Sequence, residues 1–216
     1  MQQLYEKYRP KRLAQIVGQS KAVGTVRRLS RAGIGGKAFW ISGKTGQGKT
    51  TLARCIASYV ADSFFVREFA AGPKFTADSV YKIECQMQQY SWGRGGHIWI
   101  INEAHGLRKD TVRELLDLLE RIPHHVVFIF TTTNDGMSLF EDGHLDAGPL
   151  LSRCIKITLT SQGIATAFAR LVSRIADREG LNGSGMAAYV KLANKEKGNC
   201  RAMLQAVAAG EMAGVK

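Results

Sequence analysis

The 216-residue chain is 45% hydrophobic, ample for a core in one large domain or in a large domain with a small companion, and it carries a formal charge of +12. No stretch reaches the ~18 uninterrupted apolar residues of a membrane span, the opening Met-Gln-Gln-Leu-Tyr-Glu-Lys is no signal peptide, and four scattered cysteines form no C-x-x-C pair; a cytoplasmic protein with reduced thiols, no zinc site and no membrane partner is expected. The charge is local: residues 1–50 hold eleven Lys or Arg against Glu6 alone, and the rest hold nineteen against seventeen acids, so the first segment suits a polyanion such as nucleic acid or, equally, forms a solvated basic face.

Residues 1–12 are polar and basic, and Pro10 argues for an extended arm. Ser20 is a fair N-cap for a helix over about 21–31, stopped at Gly33. Ala38–Ser42 reads as a buried strand. It runs into Gly43-Lys44-Thr45-Gly46-Gln47-Gly48-Lys49-Thr50, a complete G-x-x-x-x-G-K-[ST] phosphate loop, and Thr51 to Ala57 then has helical periodicity. Strand before and helix after are the context this motif needs. The glycines let backbone N–H groups converge on a phosphate chain, and the helix start adds roughly half a positive charge. Lys49 is spaced to reach the β- and γ-phosphates of ATP, and the Thr50 hydroxyl to hold Mg²⁺.

Phe64–Phe69 looks like a short strand, and Thr76 or Asp78 caps a helix to about Tyr90 with Val80, Ile83 and Met87 on one face. Gly93–Gly96 is a turn. His97–Ile101 is too continuously apolar for an edge strand and belongs in a parallel sheet covered on both faces. Asp110 caps a helix with Val112, Leu115, Leu116, Leu119 and Ile122 inward, ended by Pro123; Val126–Phe130 and Ile155–Leu159 are further buried strands. Strands alternating with helices imply an α/β parallel sheet sandwiched by helices. From about Ser161 three helical patterns follow (about 162–179, 184–195 and 199–209) with no strand between them, so a nucleotide-binding domain over 1–160 and a small all-helical domain over 161–216 are expected.

The strand over 98–101 ends in Asn102 and Glu103, at the edge where ligands bind in such sheets. Glu103 is then placed to orient and deprotonate a water for attack on the γ-phosphate; a carboxylate at a strand end also suits a local ion pair. Arg153 at a strand start could pair with an acid, and Arg201 could be an exposed charge near a helix N-terminus. His124-His125 lacks further metal ligands at useful spacing, and His97, His105 and His144 are assigned to packing or solvent.

Tyr5 to Lys11, Ile16-Val17-Gly18-Gln19, the phosphate loop, Asn102-Glu103-Ala104-His105 and Leu151-Ser152-Arg153-Cys154 stand in the order and approximate spacing of one family. The chain resembles the AAA+ ATPase subunits of sliding-clamp loaders, the replication factor C small subunits and the bacterial gamma/tau subunit. The resemblance spans residues 4 to about 205. It implies that Tyr8, Arg9, Val17 and Gly18 surround adenine; that Gly43, Gly46, Gln47, Gly48, Lys49, Thr50 and Thr51 hold the phosphates; and that Thr133, or Asn134, is the sensor-1 residue. Arg153 matches the arginine finger that reaches a neighbouring subunit's ATP, and Arg201 matches the sensor-2 arginine of a helical lid. DNA contacts are implied near Lys74 and Thr76 and near Arg108 and Lys109, where helix N-termini suit phosphates and read no sequence; solvated charge is the rival there. Arg27, Arg28 and Arg31 could extend the basic surface.

Three features depart from the family. Position 102 is Asn where the family has the Asp that meets Mg²⁺ through water, which removes one negative charge beside the cation and predicts impaired hydrolysis. The segment 134–151 is longer than usual, and the family's helical collar is missing from the sequence, either through truncation or because the protein assembles differently. The reading is an ATP- and Mg²⁺-dependent clamp-loader ATPase acting with other loader subunits, a sliding clamp and primer–template DNA. Its rivals are an ATP-binding scaffold without turnover and a branch-migration motor.

Overall fold

The structure, a computed structural model, describes residues 2–89, 96–133 and 148–213. Strands β1 (Lys37–Ser42), β2 (Val66–Ala70), β3 (His97–Asn102), β4 (Val126–Thr132) and β5 (Cys154–Thr158) form one sheet in the order β2-β3-β4-β1-β5, every pairing parallel. In β1, Ala38 and Trp40 join the core on one face, Phe39 and Ile41 that on the other, all at most 2% exposed. A strand covered on both sides has no polar face to alternate with, so β1, β3 and β4 read as apolar runs.

Helices α2 (Ser20–Ala32) and α3 (Lys49–Val60) pack on the Phe39 face. Helices α4 (Ala77–Met87), α5 (Lys109–Glu120) and the short α6 (Gly148–Ser152) pack on the other, where Trp99 stacks on Phe128 with ring centroids 5.3 Å apart. Truncating so large a buried ring to Ala costs about 3–5 kcal/mol in a packed core. After β5 come α7 (Ile164–Glu179), α8 (Met186–Lys195) and α9 (Cys200–Ala208), which share a separate core containing Phe168, Val172, Tyr189, Leu192 and Met203. Gly180, at φ 69°, stops α7 by taking the left-handed conformation that lets its N–H reach back to the Ala176 and Asp177 carbonyls.

Several boundaries differ from expectation. The N-terminal arm is not wholly extended: Leu4–Lys7 forms a helical turn, α1, because Leu4 finds the core of the last three helices, with Tyr5 and Tyr8 against it. Gln19, not Ser20, precedes α2, and its buried amide bonds Thr160 instead of capping the helix, donating to its carbonyl (3.1 Å) and accepting from its N–H (2.9 Å). Phe64 lies in a 3-10 turn before β2 and is 81% exposed, so the strand is shorter than its aromatic run suggested. Arg108 precedes α5; Asp110 sits within the first turn, still favourable to the helix dipole, while Ile122 lies past the end. Tyr90, Gly93, Asn134, His144 and the body of the long connection fall outside the described residues.

Candidate nucleotide site

The phosphate loop leaves the carboxyl end of β1 and enters α3 through Gly48, whose φ of 99° is left-handed and disfavours a side chain. No side chain caps α3, so its first N–H groups stay available to an anion. Lys49 Nζ folds back on the loop, donating to the Gly43 carbonyl at 2.8 Å and the Lys44 carbonyl at 3.2 Å. Burial pushes the Lys49 ammonium below its ordinary value; Glu103 opposes the shift and Arg201 adds to it. A desolvated cation held only by carbonyl dipoles is poised for a stronger anionic partner.

Gln47 is 3% exposed and does structural work, accepting from the Lys44 N–H and donating to Ser161 Oγ at 2.8 Å. Gly46 has no room for a side chain: an added Cβ would lie 1.7 Å from Asn199 Oδ1, and the Gly46 carbonyl accepts from the Cys200 N–H. The loop is thus seated against the start of α9, capped by Asn199 Oδ1 accepting from the Ala202 N–H.

One cleft brings together Tyr8, Arg9, Val17, Gly46, Gln47, Gly48, Lys49, Thr50, Thr51, Glu103 and Arg201. One side of it is the loop and Glu103. Its other side is apolar, with Ile16 from the N-terminal motif and Phe168, Leu171, Ile175 and Leu204, four residues that the sequence did not single out. Their signal was only core periodicity, which does not tell a pocket wall from a buried face. Arg9 bridges Glu6 to Thr51 Oγ1, 3.2 Å from Nη1. Arg201 lies over the Tyr5 ring, 5.4 Å from its centroid. Gly18 stands behind the cleft against Ile164 and Phe168.

At the end of β3, Asn102 makes three hydrogen bonds: Oδ1 accepts from Thr50 Oγ1 (3.0 Å) and Thr131 Oγ1 (2.9 Å), and Nδ2 donates to Glu68 Oε1 (2.6 Å). Glu103 follows in a left-handed conformation, φ 54°, which costs a side-chain-bearing residue about 1–2 kcal/mol. That strain turns its carboxylate to the cleft, with His105 Nδ1 3.5 Å from Oε2, a closer tie to the site than the packing role expected of this histidine. The hydroxyl at the end of β4 that reaches Asn102 is that of Thr131, two residues before Thr133. In the run Thr131-Thr132-Thr133 the sequence cannot choose among three like side chains. Glu68 was also missed, since only the β2–β3 register sets it diagonal to Asn102.

Arg153 is not in the cleft. It pairs with Glu120 at the end of α5, and its Nη1 donates to the Pro149 carbonyl at 2.9 Å, with the side chain 30% exposed. Within one chain the acid-pairing alternative is therefore realised. Lys74, Thr76, Arg108 and Lys109 stand at the starts of α4 and α5, joined where Thr111 Oγ1 donates to the Phe75 carbonyl at 3.4 Å. The four thiols are free; burial pushes Cys55 to about 11 and Cys154 and Cys200 to about 12, so none of these three is a ready nucleophile. Among the described residues no helix is long and apolar enough to cross a membrane, and no cluster of His, Cys, Asp and Glu could hold a metal unaided.

Residues 39–148 match the ATPase family associated with various cellular activities (AAA). The chain is 29% identical to the DNA polymerase III subunit tau of Escherichia coli over 182 residues, 73% of this chain and 27% of that protein. It is 27% identical to the replication factor C large subunit of Pyrococcus abyssi over 128 residues, 56% of this chain and 26% of that one. It thus spans about a quarter of the length of these relatives. In fold it resembles the RuvB Holliday junction branch migration motor of Thermotoga maritima, at a TM-score of 0.71 and 21% identity over 93% of this chain and 64% of that one.

Proposed function

The chain belongs to the AAA ATPase family, and on that premise we propose that it is a clamp-loader-like subunit that binds ATP in the cleft between the sheet edge and α7–α9, acting on primer–template DNA with other subunits and a sliding clamp. The observation that carries the ATP site is the convergence of the uncapped α3 start, Lys49, Thr50 and Glu103 on one cleft whose far wall is apolar. The loop amides and Lys49 hold the phosphate chain, and the apolar wall with Tyr8 and Val17 covers the base. Glu103 takes the proton of an attacking water. Residues 161–216 act as a lid, with Arg201 as the link between nucleotide and α9.

Mg²⁺ fits the donors present: the Thr50 hydroxyl and Asn102 Oδ1 are hard oxygens 3.0 Å apart, and its chemistry when bound is to neutralise charge on the β- and γ-phosphates. Thr50 spends its proton on Asn102 and keeps its lone pairs for a cation. Arg153 serves a neighbour's nucleotide only after exchanging Glu120 for it, so finger action belongs to the assembled state; such a guanidinium contributes ~10³–10⁵ in rate. Lys74, Thr76, Arg108 and Lys109 offer adjoining helix starts to a DNA backbone.

The test is steady-state phosphate release with and without primer–template DNA and a sliding clamp from the same host. Stimulation by the two together is expected. Turnover on four-way junctions without a clamp would instead favour the branch-migration reading that the RuvB likeness allows. ATP binding with no turnover under any of these conditions would leave a scaffold.

A further inference from the structure

The amide at position 102 does not stand alone. Thr50 and Arg54 lie one turn apart on α3, and Asn102 and Glu68 lie on adjacent strands beneath them. Thr50 Oγ1 donates to Asn102 Oδ1 at 3.0 Å, Asn102 Nδ2 donates to Glu68 Oε1 at 2.6 Å, and Arg54 Nε donates to Glu68 Oε2 at 2.8 Å. The amide orientation is fixed by chemistry, because two hydroxyls donate to one side of it and a carboxylate, which only accepts, sits on the other. Resting on the ATP reading, we infer that Glu68 is a positioning residue for the metal of the ATP site: it supplies, one hydrogen bond further out, the negative charge that an aspartate would carry at position 102.

A carboxylate accepting from Nδ2 polarises the amide and raises the negative charge on Oδ1 beside the Thr50 hydroxyl, much as carboxylates behind metal-binding imidazoles raise ligand basicity. Arg54 holds that carboxylate in place from α3 and takes its other oxygen. The arrangement also explains why residue 102 is an amide here. An aspartate would set a second acceptor oxygen against Glu68 Oε1 across the same 2.6 Å, with no N–H between them to donate. Asn102 and Glu68 are therefore coupled, and the effect of substituting one depends on the residue at the other position.

The experiment is Mn²⁺ affinity of the protein–ADP complex, read from the free-Mn²⁺ paramagnetic resonance signal, in wild type, Glu68→Gln, Asn102→Asp and the double variant. Glu68→Gln is expected to weaken Mn²⁺ about 10-fold or more, the usual effect of removing an outer-shell partner. Asn102→Asp alone gains nothing, and Glu68→Gln with Asn102→Asp returns to wild-type affinity. Fluorescent ADP binding in EDTA stays the same in all four. Wild-type Mn²⁺ affinity in Glu68→Gln, or a gain from Asn102→Asp whether or not Glu68 is present, overturns the inference. Failure of wild type to bind fluorescent ADP at all would instead remove the ATP reading and the inference with it.

Discussion

The two halves of the cleft are built from opposite kinds of information. The half proposed to take phosphate is local: eight consecutive residues turn out of β1, Gly46 and Gly48 take backbone angles that side chains resist, and α3 begins without a side-chain cap. The half proposed to take the base is assembled from afar. Tyr8 and Val17 come from the N-terminal segment, Phe168, Leu171 and Ile175 from α7, and Leu204 from α9, so the pocket wall exists only when the last three helices dock on the first twenty residues. A short motif can specify where phosphate goes. A pocket for a base needs the fold.

That contrast predicts unequal effects of substitution. The largest belongs to Glu103, which lines the cleft beside the loop. Glu103→Gln is expected to lower phosphate release by ~10²–10⁴-fold while ATP affinity holds, because only the proton transfer is removed. Unchanged turnover, measured by single-turnover quench, would return Glu103 to the role of a strand-end carboxylate beside His105.

Next comes the seam between the halves. Gly46→Val puts a side chain where Asn199 already stands and imposes a left-handed angle on a β-branched residue, so a loss of about 1–3 kcal/mol is expected in urea unfolding. A larger rise in fluorescent ATP dissociation than in Asn199→Ala, which loses only a helix cap worth about 0.5–2 kcal/mol, would show that the loop–α9 contact shapes the site itself. Equal, small effects would mean that the halves act independently.

The smallest effect concerns the anchor of the base half. Lys7 and Tyr8 both donate to Glu179, with Lys7 Nζ 2.7 Å from the carboxylate. Lys7 first and Tyr8 second hold the Glu179 carboxyl below its ordinary value, and Glu179 raises both partners. A depressed acid stabilises above its unfolded pKa and loses that contribution as pH falls through the folded one; the raised Lys7 and Tyr8 lose theirs as pH climbs through their folded values. The anchor is therefore strongest near neutrality. Glu179→Gln should flatten the pH dependence of amide exchange in Tyr8 and Arg9 at the acid end, and an unaltered profile would show that apolar packing alone secures the arm.

How much of this was legible beforehand follows the same division. The phosphate loop, the β3 strand and its terminal Asn102-Glu103 could be placed from residues alone, because strand, turn and helix are encoded within a few positions of one another. Glu68 could not, since its meeting with Asn102 depends on the register of β2 against β3. Thr131 could not, since a run of three threonines carries no signal of which one meets Asn102. Leu4 turned a supposed extended arm into helix because a partner surface some two hundred residues away was waiting for it. The pairing of Arg153 with Glu120 shows the converse: a residue whose proposed work lies in another subunit looks, within one chain, like an ordinary ion pair.

The central claim is that ATP sits on the loop between β1 and α3 with Lys49 on its phosphates. Equilibrium titration of fluorescent ATP against wild type and Lys49→Ala tests it most directly. One saturable site per chain in wild type, weakened by ~10–10²-fold in the variant as loss of a charged hydrogen bond requires, is the predicted result. Equal affinity in the two proteins, or no saturable binding in wild type, would contradict it.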